Sequence, residues 1–231
     1  MTVAILIPWR ASDDSWRTES FTWCVARWRA MVSGASVVHG SCPDGPFNRS
    51  LAINNARRQV TSSPSVLVIA DADTHGDITT IMRAINRCYE DKSSPWILPY
   101  TRYYNLTDSS TEAILAMEPD SHISEGSLVF EHRITSPPMP PYGDPVSGIL
   151  VMPVAAYDFV GGFDEDFAGW GYEDKDMARR LDRAWGVRER LDGFVFHLWH
   201  PVAVDPFSLP ESKQNEELYR KKMSEDVRRV S

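Results

Sequence analysis

The sequence predicts an α/β fold, with a Rossmann-like, mostly parallel central sheet flanked by helices, and two observations support the prediction. Residues 3–7 and 65–70 are short, almost wholly apolar runs. Central strands of parallel sheets are buried on both faces and have this composition. A segment with apolar residues at helical spacing follows each run, and such alternation is typical of a parallel sheet crossed by helices.

Strands and helices alternate through the first hundred residues. Phe21, Cys24 and Trp28 recur at helical spacing, and Asp13 or Asp14 could cap the start of that helix. The predicted strands are residues 3–7, 36–39 and 65–70, and the predicted helices are about 21–32, 48–60 and 78–89.

The second half has a weaker pattern. Five prolines between positions 137 and 145 exclude a helix or central strand there, so we predict a loop, which could close over a site as a lid. Strands are predicted at 96–100, 127–132, 148–152 and 194–198, and helices at 111–117, 153–160, 173–185 and from 211 to the end.

Composition limits the classes of function. With 42% hydrophobic and 24% charged residues, a chain of 231 residues is long enough for one cored domain, and disordered and fibrous classes are excluded. The net charge of -8 disfavours nucleic-acid binding, although a local basic groove is compatible with this charge.

Cysteine usage and hydropathy give expectations about the compartment. Cys24, Cys42 and Cys88 are odd in number and widely spaced, which indicates neither a disulfide framework nor a cysteine zinc site. The apolar runs are too short for a signal sequence or a spanning helix. We therefore expect a cytoplasmic protein without a membrane partner.

Two carboxylates, Asp71 and Asp73, follow the third strand at its carboxyl end. Ligands of open α/β sheets bind at this edge, and alternation along an extended chain would point both carboxylates to one side. Converging carboxylates bind Mg²⁺ or Mn²⁺ together with diphosphate oxygens. The alternative is that both residues only begin a turn, so the motif alone is weak.

A turn rich in glycine and aromatic residues, residues 161–172, leads into a helix at Glu173. Asp174 shares its helical face with apolar residues and is expected to point inward, whereas Asp176 is expected to pair outward with Arg180. An inward carboxylate suits a general base, and the helix dipole is expected to keep Asp174 ionised at neutral pH. The alternative is that Glu173 and Asp174 are ordinary acids of a first helical turn.

Two histidines, His197 and His200, lie at the end of the last predicted strand. Alternation along a strand places one of them at the site and points the other away, and His197 is the preferred metal ligand. An imidazole beside carboxylates favours Mn²⁺ over Mg²⁺.

Basic residues lie near the same sheet edge. Arg10 follows the first strand, two residues after Pro8, and Arg49 opens the second helix, whose interior contains Asn54. Arginine and asparagine at this edge could hold the phosphates and base of a nucleotide. Taken singly, they would be interpreted as ordinary surface residues.

In their order along the chain, these motifs resemble the GT-A class of glycosyltransferases, most closely the β1,4-galactosyltransferase and chondroitin-synthase-like group. The resemblance covers nearly the whole chain, and residues 161–176 are its most specific part. The matching segments are Pro8-Trp9-Arg10, Phe47-Asn48-Arg49-Ser50 with Asn54, Asp71-Ala72-Asp73, residues 161–176 and residues 197–201.

The resemblance implies a GT-A fold and an inverting, metal-dependent glycosyltransferase with a nucleotide-sugar donor, in the first instance a UDP-sugar. Asp174 is then the general base beside Glu173, and Mn²⁺ or Mg²⁺ is bound by Asp73 and His197, with Asp71 as a further ligand or at the ribose. The residues implied to bind the donor are Pro8, Arg10, Arg49, Asn54, Asp71, Asp73, Gly148 and Trp170.

The same resemblance predicts one catalytic domain over residues 1–231. Residues 1–100 form its nucleotide-binding half, 101–207 its acceptor and catalytic half, and 208–231 a C-terminal helix. Trp9, Tyr172 and Lys175 depart from the group's usual phenylalanine, glycine and aspartate, so acceptor contacts are not carried over. The acceptor is expected to be a glycan, a protein hydroxyl or a modified nucleobase, and the missing anchor indicates a bacterial or viral type of enzyme.

Two other classes of function fit parts of the pattern. Nucleotidyltransferases also use an acidic pair on an α/β sheet, but they would show a glycine-rich loop with a lysine near the start, which Pro8-Trp9-Arg10 is not. A non-catalytic carbohydrate- or nucleotide-binding relative would not need Asp71, Asp73 and Asp174 together.

Overall fold

The computed structural model describes residues 2–137, 144–201 and 208–230, and for residues 227–230 the backbone alone. The strands are β1 Val3–Pro8, β2 Ser36–Gly40, β3 Val66–Ala70, β4 Thr74–Gly76, β5 Ile97–Leu98, β6 Arg102–Leu106, β7 Phe130–Thr135, β8 Ile149–Pro153, β9 Glu189–Arg190 and β10 Phe194–His197. The α-helices are α1 Ser15–Met31, α2 Arg49–Gln59, α3 Ile78–Glu90, α4 Asp108–Leu115, α5 Val154–Phe159, α6 Glu173–Ala184 and α7 Pro210–Val230.

A six-stranded sheet in the order β2-β1-β3-β8-β5-β9 forms the centre of the fold. β1 runs parallel to β2 and β3, as the sequence predicts, and every residue of β1, β3 and β8 is buried. β8 runs antiparallel to both β3 and β5, so the sheet is mixed. The sequence does not reveal this reversal, because a fully apolar strand has the same composition in either direction.

A second sheet, in the order β4-β10-β6-β7, brings two distant segments together. β4 begins directly after Asp73, and β10 ends at His197, which pairs with Thr74. The antiparallel pairing of β4 with β10 therefore places the end of the acidic motif beside the histidines. β4 was not predicted from the sequence, because its three residues carry no apolar pattern.

Other predicted strands shift in the structure. The segment 96–100 contains only the two-residue β5, and Pro99, which has no N–H to donate, follows it. The chain then forms β6, which the sequence analysis missed. The strand predicted at 127–132 is β7, three residues later, and it is largely exposed at a sheet edge, so its apolar periodicity is weak.

The helices begin where side chains cap them. Asp14 accepts a hydrogen bond from the Trp16 N–H at 3.0 Å, which confirms one of the two predicted caps of α1. The proline-rich segment predicted as a lid lies largely outside the described residues. Within the described ranges, no helix combines the length and apolar character needed to cross a bilayer.

Candidate active site

The carboxylate of Asp71 is fixed at the end of β3 by the backbone of Gly148. The Gly148 N–H donates to Asp71 Oδ2 at 3.2 Å, and the Asp71 N–H donates to the Gly148 carbonyl at 2.9 Å. Gly148 has a φ of +82°, and a Cβ there would lie 2.8 Å from a ring carbon of Tyr103. Only glycine fits this position, and the close contact of its backbone with Asp71 orients the Asp71 carboxylate.

Arg49, the first residue of α2, connects Asp71 to the start of α6. Its Nε donates to Asp71 Oδ1 at 2.7 Å, and its Nη1 donates to Asp174 Oδ1 at 2.5 Å. Glu173 Oε1 lies 3.9 Å from the same Nη1. One guanidinium thus lies among three carboxylates that are each largely shielded from solvent.

This arrangement alters the proton affinities of the acidic residues. Burial raises the pKa of Asp174 well above its usual value, Arg49 opposes the increase, and the Glu173 and Asp71 carboxylates add to it. The pKa of Glu173 is also raised, mainly by burial. The sequence predicted that the helix dipole would keep the pKa of Asp174 low. That prediction is wrong, because the effect of desolvation on the pKa outweighs that of the dipole.

Asn54 anchors the turn that precedes α6. Its amide nitrogen donates to the Phe163 carbonyl at 2.9 Å and to Glu165 Oε1 at 2.8 Å. Its oxygen accepts from the Phe163 N–H at 3.0 Å and from the Tyr157 hydroxyl at 2.5 Å. All of these bonds lie within the protein, so the observed role of Asn54 is to hold the turn, and donor binding by Asn54 stays a prediction.

Asp176 does not pair outward, contrary to expectation. Its side chain is 0% exposed and bonds to Arg179 and Arg180, each at 2.7 Å. Arg180 also donates to the carbonyls of Val160 and Gly162 at 2.9 and 2.8 Å. The predicted Asp176–Arg180 pair is present, but Asp176 is buried, and Arg180 connects the pair to the segment that precedes α6.

Asp73 lies beside two histidines. His197 Nε2 is 3.4 Å from Asp73 Oδ1, and His200 Nε2 is 3.5 Å from Asp73 Oδ2. One ligand atom from each residue lies within 4.8 Å of the others. His200 was expected to point away, but β10 ends at His197, so strand alternation does not apply to His200.

The donor set of this cluster fits a transition-metal ion. A carboxylate oxygen with two imidazole nitrogens suits Mn²⁺ better than Mg²⁺, which prefers oxygen ligands alone. Burial alone would raise the pKa of Asp73, but the His197 imidazole holds it well below its usual range.

Asp71 lies outside this cluster. Residues 72 and 73 form a turn, so the alternation that would point Asp71 and Asp73 to one side is broken. Asp71 as a metal ligand stays a prediction.

The segment after β1 positions the other predicted arginine. Pro8 is the buried last residue of β1. Arg10 donates from Nη1 to the Gly45 carbonyl at 2.8 Å, and its guanidinium lies 5.4 Å from the centre of the Phe47 ring. Trp9 stacks on Phe21 with ring centres 4.3 Å apart. Arg10 is therefore separate from the Arg49 network.

Trp170 lies on the turn before α6 and is 41% exposed. The buried Asn215 of α7 donates to the carbonyls of Ala168 and Trp170 at 3.0 and 3.3 Å. Asn215 was not predicted from the sequence, because a lone asparagine in a polar helix gives no signal of burial. His200 was considered as a metal ligand in the sequence, but His197 was preferred to it.

This chain is similar in sequence to one protein family and in fold to a solved galactosyltransferase structure. Residues 135–201 match the family described as "N-terminal domain of galactosyltransferase". The catalytic domain of Drosophila β1,4-galactosyltransferase 7, solved with xylobiose, is 15% identical, with a TM-score of 0.56 over 93% of this chain and 79% of that chain.

A mutant of the same Drosophila enzyme, solved with manganese, UDP-Gal and xylobiose, is 16% identical, with a TM-score of 0.49 over 82% of this chain and 64% of that chain. No curated protein sequence matches the chain. The chain therefore has the GT-A fold of β1,4-galactosyltransferases, and within it residues 135–201 resemble a galactosyltransferase domain.

Proposed function

We propose that this chain transfers a sugar from a nucleotide-sugar donor to an acceptor hydroxyl, with inversion at the anomeric carbon. The proposed donor is a UDP-sugar. One observation carries the proposal. Asp71 directly follows β3 and is linked by Arg49 to Asp174, and two residues later Asp73 meets His197 and His200. A general base and a metal cluster are thus fixed by one short segment at the sheet edge where ligands bind.

Asp174 acts as the general base. As the acceptor oxygen bonds to the anomeric carbon, the carbon–oxygen bond to the diphosphate breaks, and the hydroxyl proton passes to a carboxylate oxygen of Asp174. Because burial raises its pKa, Asp174 is a stronger base than an exposed aspartate. Arg49 fixes its orientation, and Glu173 keeps the local field negative.

The cluster of Asp73, His197 and His200 holds Mn²⁺. When bound, the ion supplies positive charge to the departing diphosphate. Arg10 contributes further positive charge at the same sheet edge. Asp71, already oriented by Gly148, is proposed to accept a hydrogen bond from the ribose.

The acceptor is proposed to be a glycan. The solved structure that supports the fold is a complex with the disaccharide xylobiose, which favours a saccharide over a protein or a nucleobase. We further propose that residues 1–231 work as one catalytic domain, located in the cytoplasm.

A thermal-shift panel tests the proposal. Purified protein is scanned with UDP-, GDP-, ADP- and dTDP-sugars, each with and without Mn²⁺. We expect stabilisation with UDP-sugars that requires Mn²⁺, since a ligand that binds only the folded state raises the melting temperature. Asp73→Asn should lose that response and Asp13→Asn, at an exposed carboxylate, should keep it.

Two results would contradict the proposal. Stabilisation by a donor without Mn²⁺ would show that donor binding does not require the metal. The absence of a response to every donor would favour a non-catalytic relative.

A further inference from the structure

The backbone is strained at the residue that precedes α6. Tyr172 has a φ of +73°, and no other non-glycine residue in the described part of the chain has a positive φ. This left-handed conformation is unfavourable for a residue with a Cβ, whereas glycine adopts it freely. The chain nevertheless has a tyrosine here, where the group that its sequence resembles usually has glycine. Strain of this kind persists only where surrounding contacts impose it.

Side chains of α6 and α7 hold the Tyr172 side chain. Its ring centre lies 5.6 Å from that of Tyr219 in α7 and 4.7 Å from the ammonium of Lys175 in α6. Contacts between two aromatic rings and between a cation and a ring are both favourable. Burial, and after it the Glu216 carboxylate of α7, raises the pKa of the Tyr172 hydroxyl, so α7 also faces the polar end of the side chain. These contacts offset the strain of the backbone.

α7 is itself fixed to the turn that leads to Tyr172. Asn215, four residues before Tyr219 in the same helix, donates hydrogen bonds to the carbonyls of Ala168 and Trp170. The helix is therefore held against the turn independently of any contact made by Tyr172. Tyr219 is thus a fixed partner against which the ring of Tyr172 can be held.

The backbone of Tyr172 determines how α6 begins. The Tyr172 carbonyl accepts the Asp176 N–H at 2.9 Å, which is the first hydrogen bond of the helix. Glu173 and Asp174 follow directly, and Asp174 Oδ1 lies 2.5 Å from Arg49 Nη1. Because each residue has only two soft dihedrals, a change of φ at Tyr172 would rotate the first turn and move both carboxylates relative to Arg49.

We propose that Tyr172 is a positioning residue. Clamped by Tyr219, it fixes the left-handed turn that begins α6, and through that turn it holds the carboxylates of Glu173 and Asp174 at Arg49. The clamp is a property of the fold, whereas its effect on sugar transfer rests on the proposed function.

Hydrogen exchange followed by NMR tests the clamp without any donor. The readout is the exchange rate of the Asp176 N–H, and the reference is the Trp185 N–H, which donates to the Leu181 carbonyl at 2.9 Å at the other end of α6. Tyr172→Gly should speed exchange at Asp176 by about tenfold, because glycine adopts many conformations and has no ring to contact Tyr219. Exchange at Trp185 should stay within about twofold of the wild type.

Substitution of the partner ring should have the same effect. Tyr219→Ala should also speed exchange at Asp176 by about tenfold, because the strained tyrosine loses the contact that holds it. In Tyr172→Gly, Tyr219→Ala should add nothing further, since no clamp is left to lose. Met223→Ala, at an exposed residue one turn later in α7, is the matched control and should leave exchange at Asp176 unchanged.

Three results would overturn the inference. The first is unchanged exchange at Asp176 in Tyr172→Gly or in Tyr219→Ala. The second is an equal increase at Asp176 and Trp185, which would mean that the substitutions destabilise the whole helix. The third is additivity of the two substitutions, which would mean that the two tyrosines act independently.

Transfer kinetics test the effect on Asp174. Tyr172→Gly should lower kcat by about tenfold and leave KM for the donor unchanged, because the base is displaced whereas the donor-binding residues are not. Tyr172→Phe keeps the ring and should restore most of the rate. Faster exchange at Asp176 together with an unchanged kcat would overturn the positioning of Asp174.

The clamp and the proposed transfer can fail separately. If exchange at Asp176 responds as expected but no donor is ever cleaved, the clamp stands and the glycosyltransferase activity falls. If donors are cleaved but exchange at Asp176 does not respond to either substitution, the activity stands and the clamp falls.

Discussion

The guanidinium of Arg49 lies 2.5 Å from Asp174, measured from Nη1 to Oδ1, although the two residues are 125 positions apart in the chain. The same guanidinium holds Asp71 at 2.7 Å. Arg49 is thus the cation that lets three shielded carboxylates lie together, and it joins α2, β3 and α6 at one point. The stability of the site and the strength of its base both depend on this contact.

Removing the charge of Arg49 should destabilise the fold. Arg49→Gln leaves Asp71, Glu173 and Asp174 close together without a cation, at a cost of about 3 kcal/mol or more at pH 7. Arg49→Lys keeps the charge and should lose less. Urea unfolding at pH 7 and pH 5 measures both variants.

The pH dependence provides the control for that experiment. Without Arg49, burial raises the folded-state pKa values of Glu173 and Asp174 above their unfolded values, so the folded state binds more protons, and stability is regained as the pH falls. Arg49→Gln should therefore be closer to the wild type at pH 5 than at pH 7. An equal deficit at both pH values would show that the arginine acts by packing alone.

Asp174→Asn should abolish sugar transfer and leave donor binding intact. An amide cannot accept the acceptor's proton, and loss of a general base lowers rates by about 10²- to 10⁴-fold. Transfer rate and donor-induced thermal shift are measured on the same preparation. Loss of both would mean that Asp174 is structural.

The wild-type pH profile checks the state of the same carboxylate. Because burial raises the pKa of Asp174, the acid limb of kcat/KM should lie above that of an ordinary aspartate. The rate is lost as the pH falls through this raised pKa, since the protonated acid cannot act as a base. An acid limb near pH 4 would contradict the assignment.

His200→Ala should weaken Mn²⁺ binding by about tenfold or more, because it removes one nitrogen ligand of the cluster. The measurement is a Mn²⁺ titration followed by electron paramagnetic resonance of the free ion. His122→Ala, at an exposed histidine, is the matched control. An unchanged affinity in His200→Ala would leave His197 and Asp73 as the ligands and place His200 outside the site.

Asn215→Ala should slow transfer without changing Mn²⁺ affinity. The substitution leaves the carbonyls of Ala168 and Trp170 without their donor, so the turn that carries Trp170 loosens, at a cost of about 1–3 kcal/mol. Gln214→Ala, at the exposed neighbouring residue, should stay within about 0.5 kcal/mol of the wild type. Equal effects of the two substitutions would show that α7 does not support the turn.

The sequence predicted those parts of the fold in which pattern and burial agree. The apolar runs that became β1 and β3 are buried on both faces, so their composition identifies them directly. β4 has only three residues and no such pattern, so it was not predicted, and β7 was predicted three residues too early because it is an exposed edge strand with weak periodicity. Strand direction, as in β8, depends on pairing with distant segments and leaves no local trace.

The candidate site was predictable as a set of residues but not as a set of contacts. Asp73, His197 and Asp174 stand out by their motifs. The link from Arg49 to Asp174 could not be foreseen, since it depends on how α2 and α6 meet. Asn54 shows the reverse case, because its motif indicates ligand binding whereas its hydrogen bonds hold a turn.

The most direct test of the central claim is the slow hydrolysis of a UDP-α-sugar, followed by proton NMR, with water as the acceptor. The account predicts that cleavage requires Mn²⁺, is lost in Asp73→Asn, and releases the β-anomer of the free sugar first. Release of the α-anomer first would contradict inversion by Asp174. Cleavage that proceeds equally without Mn²⁺ would contradict the role assigned to Asp73, His197 and His200.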